Sequence, residues 1–317
     1  MGRDILDNDF GTGGCPPSAA VRAKICAEGY AQQVLEAFNA TRPLEDRPAI
    51  DLVEGLDWPA RDQWRRGTCT AFAAAALAEH AHARACGRLE AFSPEFLYWC
   101  MRKEPGYTPD PGMPYYELGA TKLDQARRVL ADLGLCREKY APYVPNPHTL
   151  MRRPSQSAWD DAAAHRFEPV LYDDFEGRRP DFDVAHAIYE ELSQGRPVAL
   201  GLPIFGYRGN RALDNWTNSR TMNTGRVMGP VNEPELVDPD AVVSGHVVCV
   251  TGYQPDPGSA AGGWFIFKNS WAARFNDPVM IYHPATVPAI TRRGYGAVSV
   301  AHVLGYTLEL LSVKVKA

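Results

Sequence analysis

Residues 62–80 read "DQWRRGTCTAFAAAALAEH". From Cys69 onward the stretch is mostly alanine, with one leucine and one phenylalanine, and alanine is the strongest helix former. A thiol therefore stands at a helix start, behind Gly67 and Thr68, with Gln63 six residues upstream. Two explanations compete for it. Free cysteine is among the most buried residue types, so Cys69 suits a core. A helix N-terminus also favours an anion, so the same position suits a reactive thiolate.

The chain around this stretch has 317 residues, 45% apolar and 22% charged, which suits one large soluble domain or two lobes. Net charge is −5, and the basic pairs, such as Arg65-Arg66 and Arg292-Arg293, are scattered along the chain. No phosphate-binding stripe emerges, so nucleic acid is not expected as a partner. The longest apolar run, "AFAAAALA", is too short to span a bilayer, and "MGRDILDNDFGTGG" lacks the apolar core of a signal peptide. A cytoplasmic address without membrane association is the expectation, with non-classical secretion left open. The seven cysteines form an odd set without repeated spacing or a CxxC pair, which argues for reduced thiols and against structural zinc. His80, His82 and Cys86 do not make a metal site. On a helix positions 80 and 82 point about 200° apart, so these three read as surface and helix-end residues. Neither metal nor cofactor is expected.

Helical signals fill the first half. Residues 19–39 have helical spacing interrupted by Gly29, and the Cys69 helix ends at Gly87. "SPEFLYWCMRK" (93–103) starts with Ser93 as N-cap and Pro94 at the first position, and 121–134 ends at Gly134. After about residue 165, "RPVALGLPI", "GHVVCVTGY", "GGWFIFKNS" and "YGAVSV" are short β-branched or aromatic runs bounded by Gly, Pro and Asn, preceded by one helix at 184–195. Helices first and strands second predict an α+β fold with two lobes. A polar, turn-rich insertion at roughly 206–243 is expected on the surface.

A cysteine nucleophile needs an imidazole to take its proton and pass it to the leaving group, a third group to orient that ring, and donors for the oxyanion. His246 heads an apolar strand, and Asn269 opens a turn directly after the next one. The Asn269 amide oxygen suits the ring without adding charge, Trp271 suits a cover over that bond, and Gln63 can join the Cys69 N–H as an oxyanion donor.

In this order, Gln63, Cys69, His246 and Asn269-Ser-Trp271 resemble the papain-like cysteine peptidases (peptidase family C1), and most closely their bacterial branch, over about residues 56–307. The resemblance implies a two-lobed papain-like fold: a helical lobe (56–165) with the nucleophile, and a β-barrel-like lobe (166–317) with His246 and Asn269. The active-site cleft lies between them, and residues 1–55 form a leader or brace. It also implies cleft residues Gly67, Thr68, Leu118, Gly119, Ala120 and Gly245, a polypeptide substrate and an acyl-enzyme intermediate. "RGYGAVSVAHV" resembles the family's closing strand. The chain departs from the family at Arg66, where secreted members carry a disulfide cysteine, at Trp64 and Ala272, where the family has glycine, and at Thr70. The 177 residues from Cys69 to His246 exceed the roughly 130–150 of papain-type enzymes, and the 206–243 insertion accounts for the excess. Two other functions fit the residues: an acyltransferase of transglutaminase type using the same intermediate, and a silent binding module. The intact Gln-Cys-His-Asn set argues against the silent module, only product analysis separates hydrolysis from acyl transfer, and the peptidase is the reading adopted. A regulatory protein partner is left open, and the segment around Gly14-Cys15-Pro16-Pro17 is a candidate to reach the cleft.

Overall fold

The computed structural model describes residues 14, 16–41, 44–108, 119–146, 152–179, 182–276 and 290–316. Within them the helices are α1 (Ala19–Ile25), α2 (Tyr30–Thr41), α3 (Cys69–Cys86), α4 (Pro94–Lys103), α5 (Leu123–Asp132), α6 (Gln156–Ala163), α7 (Val184–Ser193), α8 (Ser219–Thr224) and α9 (Val300–Tyr306). The strands are β1 (Ile50–Asp51), β2 (Phe167–Asp174), β3 (Val198–Tyr207), β4 (Asn210–Asp214), β5 (Val237–Pro255), β6 (Gly263–Lys268), β7 (Tyr295–Ser299) and β8 (Glu309–Val315). The predicted punctuation is in place. Gly29 (φ 74°) separates α1 from α2, the Ser93 hydroxyl accepts from Phe96 N at the start of α4, and Gly87 caps α3 in the left-handed region.

The strands form one antiparallel sheet in the order β2-β8-β3-β5-β6-β7, with β1 on β5 and β4 on β3. The fold is α+β as expected. Among the described strands, however, the sheet stays open where a barrel-like lobe was anticipated.

Strand alternation divides the interior into two cores. Ala199, Val247, Cys249, Leu311 and Val313 face the core built by α3, α4 and α5. Their neighbours Leu200, Val248, Val250 and Leu310 face a second core with α1, α2, α7 and α9. The sheet thus braces α3, the helix that begins at Cys69, on one side and packs the rest of the strand-rich half on the other.

Three expectations change. The run "VAHV" after β7 is the start of α9, capped by Ser299, and the C-terminal strand is β8. The 206–243 insertion is not a surface excursion: it holds β4 and α8 and buries Asn215, Trp216, Val227 and Met228. His80 is buried, its ring 5.5 Å from that of Trp58, because that face of α3 turns inward.

Candidate active site

Cys69 is the first residue of α3 and fully buried. Thr68, the N-cap residue, makes no capping bond with its side chain. Its hydroxyl instead lies 2.9 Å from Tyr143 Oη, and that phenol lies 2.7 Å from the Gln63 carbonyl. The segment ahead of the thiol is stitched to the segment after Asn269. Gln63 N donates to Ser270 O (2.8 Å), Ala272 N donates to Arg61 O (3.1 Å), and Ser270 Oγ donates to Gln63 Oε1. One turn into α3, Phe72 and Ala73 share a small cavity with Val247, Asn269 and Ser270.

His246 sits inside β5 opposite Leu202 of β3, so its backbone is held by the ladder. Its Nε2 lies 2.8 Å from Asn269 Oδ1, which also accepts from Ser270 N at 2.8 Å. An oxygen that already takes one N–H identifies the acceptor end of the amide, so Nε2 carries the proton and Nδ1 keeps its lone pair. Trp271 stacks on the ring at 4.6 Å and 25°, and Trp216 meets it edge-on at 4.8 Å. Sequence reading anticipated Trp271 and missed Trp216, whose only signal was a tryptophan inside an otherwise polar insertion. Burial pushes the His246 pKa down to about 4, opposed by the Asn269 hydrogen bond. A protonated ring in this setting requires an opposite charge beside it.

Behind this pair, Glu79 of α3 accepts from Trp58 Nε1 (2.7 Å), Arg61 Nη1 (3.3 Å) and Phe92 N (3.3 Å). Lys268, the neighbour of Asn269, is buried against the Trp58 ring, and burial lowers its pKa while Glu79 opposes the shift. These contacts fix α3 relative to the strand that leads into Asn269.

Gln63 is buried, and its Nε2 donates to Arg66 O at 2.8 Å. Arg66 is itself a staple. It pairs with Glu95, donates to Val144 O (2.6 Å) and lies over the rings of Tyr98 and Tyr143. The six described cysteines are all free thiols, and Cys15 lies outside the described residues. Among the described residues no group of three or more His, Cys, Asp or Glu is placed to hold a metal ion. Nor, among them, is any helix long and apolar enough to cross a membrane.

Of the expected cleft residues, Leu118 lies outside the described residues. Gly67 is half-buried and Thr68 buried. Gly119 has φ 87° and accepts from Tyr98 Oη (3.0 Å); a Cβ there would come within 2.5 Å of that oxygen. Ala120 is buried, with its carbonyl on Arg102 Nη1. Gly245 pairs with Gly14, which also pairs with Thr121. Gly14 thus lies between the residue before His246 and the segment after Gly119.

With this geometry in hand, the likeness to solved structures is informative. The structure matches that of xylellain, a cysteine protease from Xylella fastidiosa, with a TM-score of 0.64 at 20% identity, over 100% of this chain and 99% of that one. The fold is that of the papain-like cysteine proteases. The papain-like fold is also found in digestive procathepsin L 3 of Tenebrio molitor larval midgut (TM-score 0.52, 16% identity, 90% of this chain and 79% of that one). The proform of the ragweed pollen cysteine protease Amb a 11 matches at 0.53 and 16%, over 99% and 79%. No protein-family profile and no curated protein matches the sequence.

Proposed function

We propose that this chain is a cysteine peptidase that hydrolyses peptide bonds through an acyl-enzyme. The observation that carries the reading is the His246–Asn269 hydrogen bond of 2.8 Å beneath Trp271, which leaves Nδ1 as the ring's basic nitrogen. In this reading Cys69 Sγ gives its proton to Nδ1 and attacks the scissile carbonyl carbon. The C–S bond forms as the carbonyl oxygen takes up the electron pair, held by the Cys69 N–H and the Gln63 carboxamide. Collapse of that intermediate breaks the C–N bond, and the imidazolium gives its proton to the departing amine. Water, deprotonated by the same nitrogen, then hydrolyses the thioester. Asn269 keeps the ring oriented through both proton transfers, and Trp271 shields the bond that does so.

The same reading assigns residues 56–165 to the lobe that carries the thiol, 166–317 to the lobe that carries the base, and 1–55 to a leader. Cys69 and His246 are only 0% and 1% exposed. Gly14 pairs with Gly245 and Thr121, and in this reading it takes the place of a substrate backbone. A leader laid across the cleft accounts for both facts.

A peptide-library digest read by mass spectrometry tests the function, with Cys69→Ala as the blank. New carboxyl termini generated only by the wild type support hydrolysis. Amide exchange without hydrolysis would instead identify an acyltransferase.

A further inference from the structure

Trp64 and Ala272 are both non-glycine residues in the left-handed region, with φ of 54° and 45°. That conformation is disfavoured by any Cβ and persists where the surroundings impose it, often at functional sites. Both positions flank the proposed chemistry, since Trp64 follows Gln63 and Ala272 follows Trp271. They belong to one wall. Asp62 pairs with Trp271 across an antiparallel bridge. Its Oδ1 accepts from Trp64 N and from Arg274 Nη2, each at 2.8 Å. The Arg274 guanidinium lies over the Trp64 indole at 4.8 Å. Even so, Trp64 is 45% exposed, the most exposed large apolar side chain among the described residues.

A strained backbone, a carboxylate and a guanidinium thus hold an indole out toward solvent one residue from Gln63. Core packing does not account for this, because nearly half of the side chain remains open to solvent. The slot taken by Gly14 runs past Gly245 and Thr121. The Trp64 wall instead continues from Trp271, on the side of the imidazole. The departing amine must receive its proton from that imidazole, so the chain beyond the scissile bond passes this wall.

We infer that Trp64, positioned by Asp62 and Arg274, binds the substrate side chains on the leaving-group side of the scissile bond. It selects large apolar or aromatic residues there. This rests on the peptidase reading. The Asp62–Arg274 pair balances its own charge, so the surface offered is the indole, and an already ordered aromatic ring binds with little further loss of entropy.

The test uses the full chain and matched peptides that carry Phe or Gly at the two positions after the scissile bond. The ratio of kcat/KM between them is independent of how many molecules have an open cleft. Wild type should favour Phe by about 10-fold or more, the scale of added apolar contact in a pocket. Trp64→Gly should bring the ratio close to one, chiefly through KM, and Trp64→Phe should keep most of the preference. Because glycine accepts a φ of 54°, Trp64→Gly should unfold at the same temperature or higher. A flat wild-type profile, a preference that survives Trp64→Gly, or a marked fall in melting temperature would each overturn the inference. Cleavage with a flat profile refutes this inference alone. Absence of any cleavage refutes the peptidase reading and this inference with it.

Discussion

Gly14 offers the most direct way to ask whether the N-terminal segment restrains the enzyme. An ideal Cβ at this position would lie 2.9 Å from the Gly245 carbonyl carbon and 3.0 Å from both Gly245 O and His246 N. All three are backbone atoms of β5, which pairs with β3 and β6 and has little freedom to move aside. In Gly14→Val it is therefore the N-terminal segment that must leave. It loses its pairing with Gly245 and Thr121. Taking one backbone hydrogen bond for each of the two pairings, at about 0.5–1.5 kcal/mol net apiece, their loss releases about 1–3 kcal/mol of holding energy. Since about 1.4 kcal/mol is a factor of ten, the open population should rise by roughly 5- to 150-fold. The assay is the initial rate of hydrolysis of a peptide amide by the intact chain, with its mass checked before and after. Melting temperature should change little, and deletion of residues 1–18 should give a similar gain. Unchanged activity in Gly14→Val would refute leader occlusion. Loss of activity and stability together in both variants would make the segment a structural brace.

Cys69→Ala should abolish turnover while the fold persists, and a thiol-directed epoxide should label Cys69 alone among the seven cysteines; activity retained in the variant would remove the nucleophile assignment. Burial raises the thiol pKa of Cys136 and Cys249 to about 12, which disfavours their thiolates as competing targets. His246→Ala should approach the loss seen for Cys69→Ala, Asn269→Ala should cost less, and Gln63→Ala should lower kcat by roughly 10- to 1000-fold; an Asn269 variant slower than the His246 variant would reverse the assigned roles. His302 is buried with no hydrogen bond to either ring nitrogen, and burial pushes its pKa down to about 3. The unfolded chain binds a proton below about pH 6.5 that the folded chain refuses until about pH 3, so the contribution of His302 is complete above pH 6.5 and declines as pH falls. At about 1.4 kcal/mol per pH unit this amounts to about 2 kcal/mol by pH 5. Urea titrations from pH 7 to 5 should therefore show a shallower decline for His302→Leu than for wild type, and an equal slope would place the acid sensitivity elsewhere.

Much of the site was legible in sequence because its parts carry local signals. A thiol at the head of an alanine-rich run, a histidine at the head of an apolar run and an asparagine at a strand-ending turn each follow from propensity, although the strand in fact begins at Val237 and holds His246 in its interior. The structure adds their meeting: His246 on Asn269, and Gln63 on Ser270. What stayed hidden depended on distant partners. Trp216 looks like a loop residue until β4 and α8 fold it against His246. β8 was missed because its apolar run follows α9 without a strong break, and because its pairing with β2 and β3 spans more than a hundred residues. His80 looked exposed because the polar residues at the end of α3 mask how far the buried stripe extends.

The connection between β3 and β5 has a practical consequence for anyone wishing to trim or decorate the molecule. Its length invites deletion, yet Trp216 from its middle is wall material for the His246 imidazole. Asn215 also ties Phe205 N to Met228 O. Cutting the whole excursion would strip the base of its packing. The tip is another matter. Arg208, Gly209 and Asn210 are exposed, and a Cβ at Gly209 would have nothing within 4 Å. A tag or a fluorescent reporter grafted into that turn should leave hydrolysis intact, whereas the same graft ten residues later would silence it. One connection thus supplies both a permissive attachment point and a forbidden one.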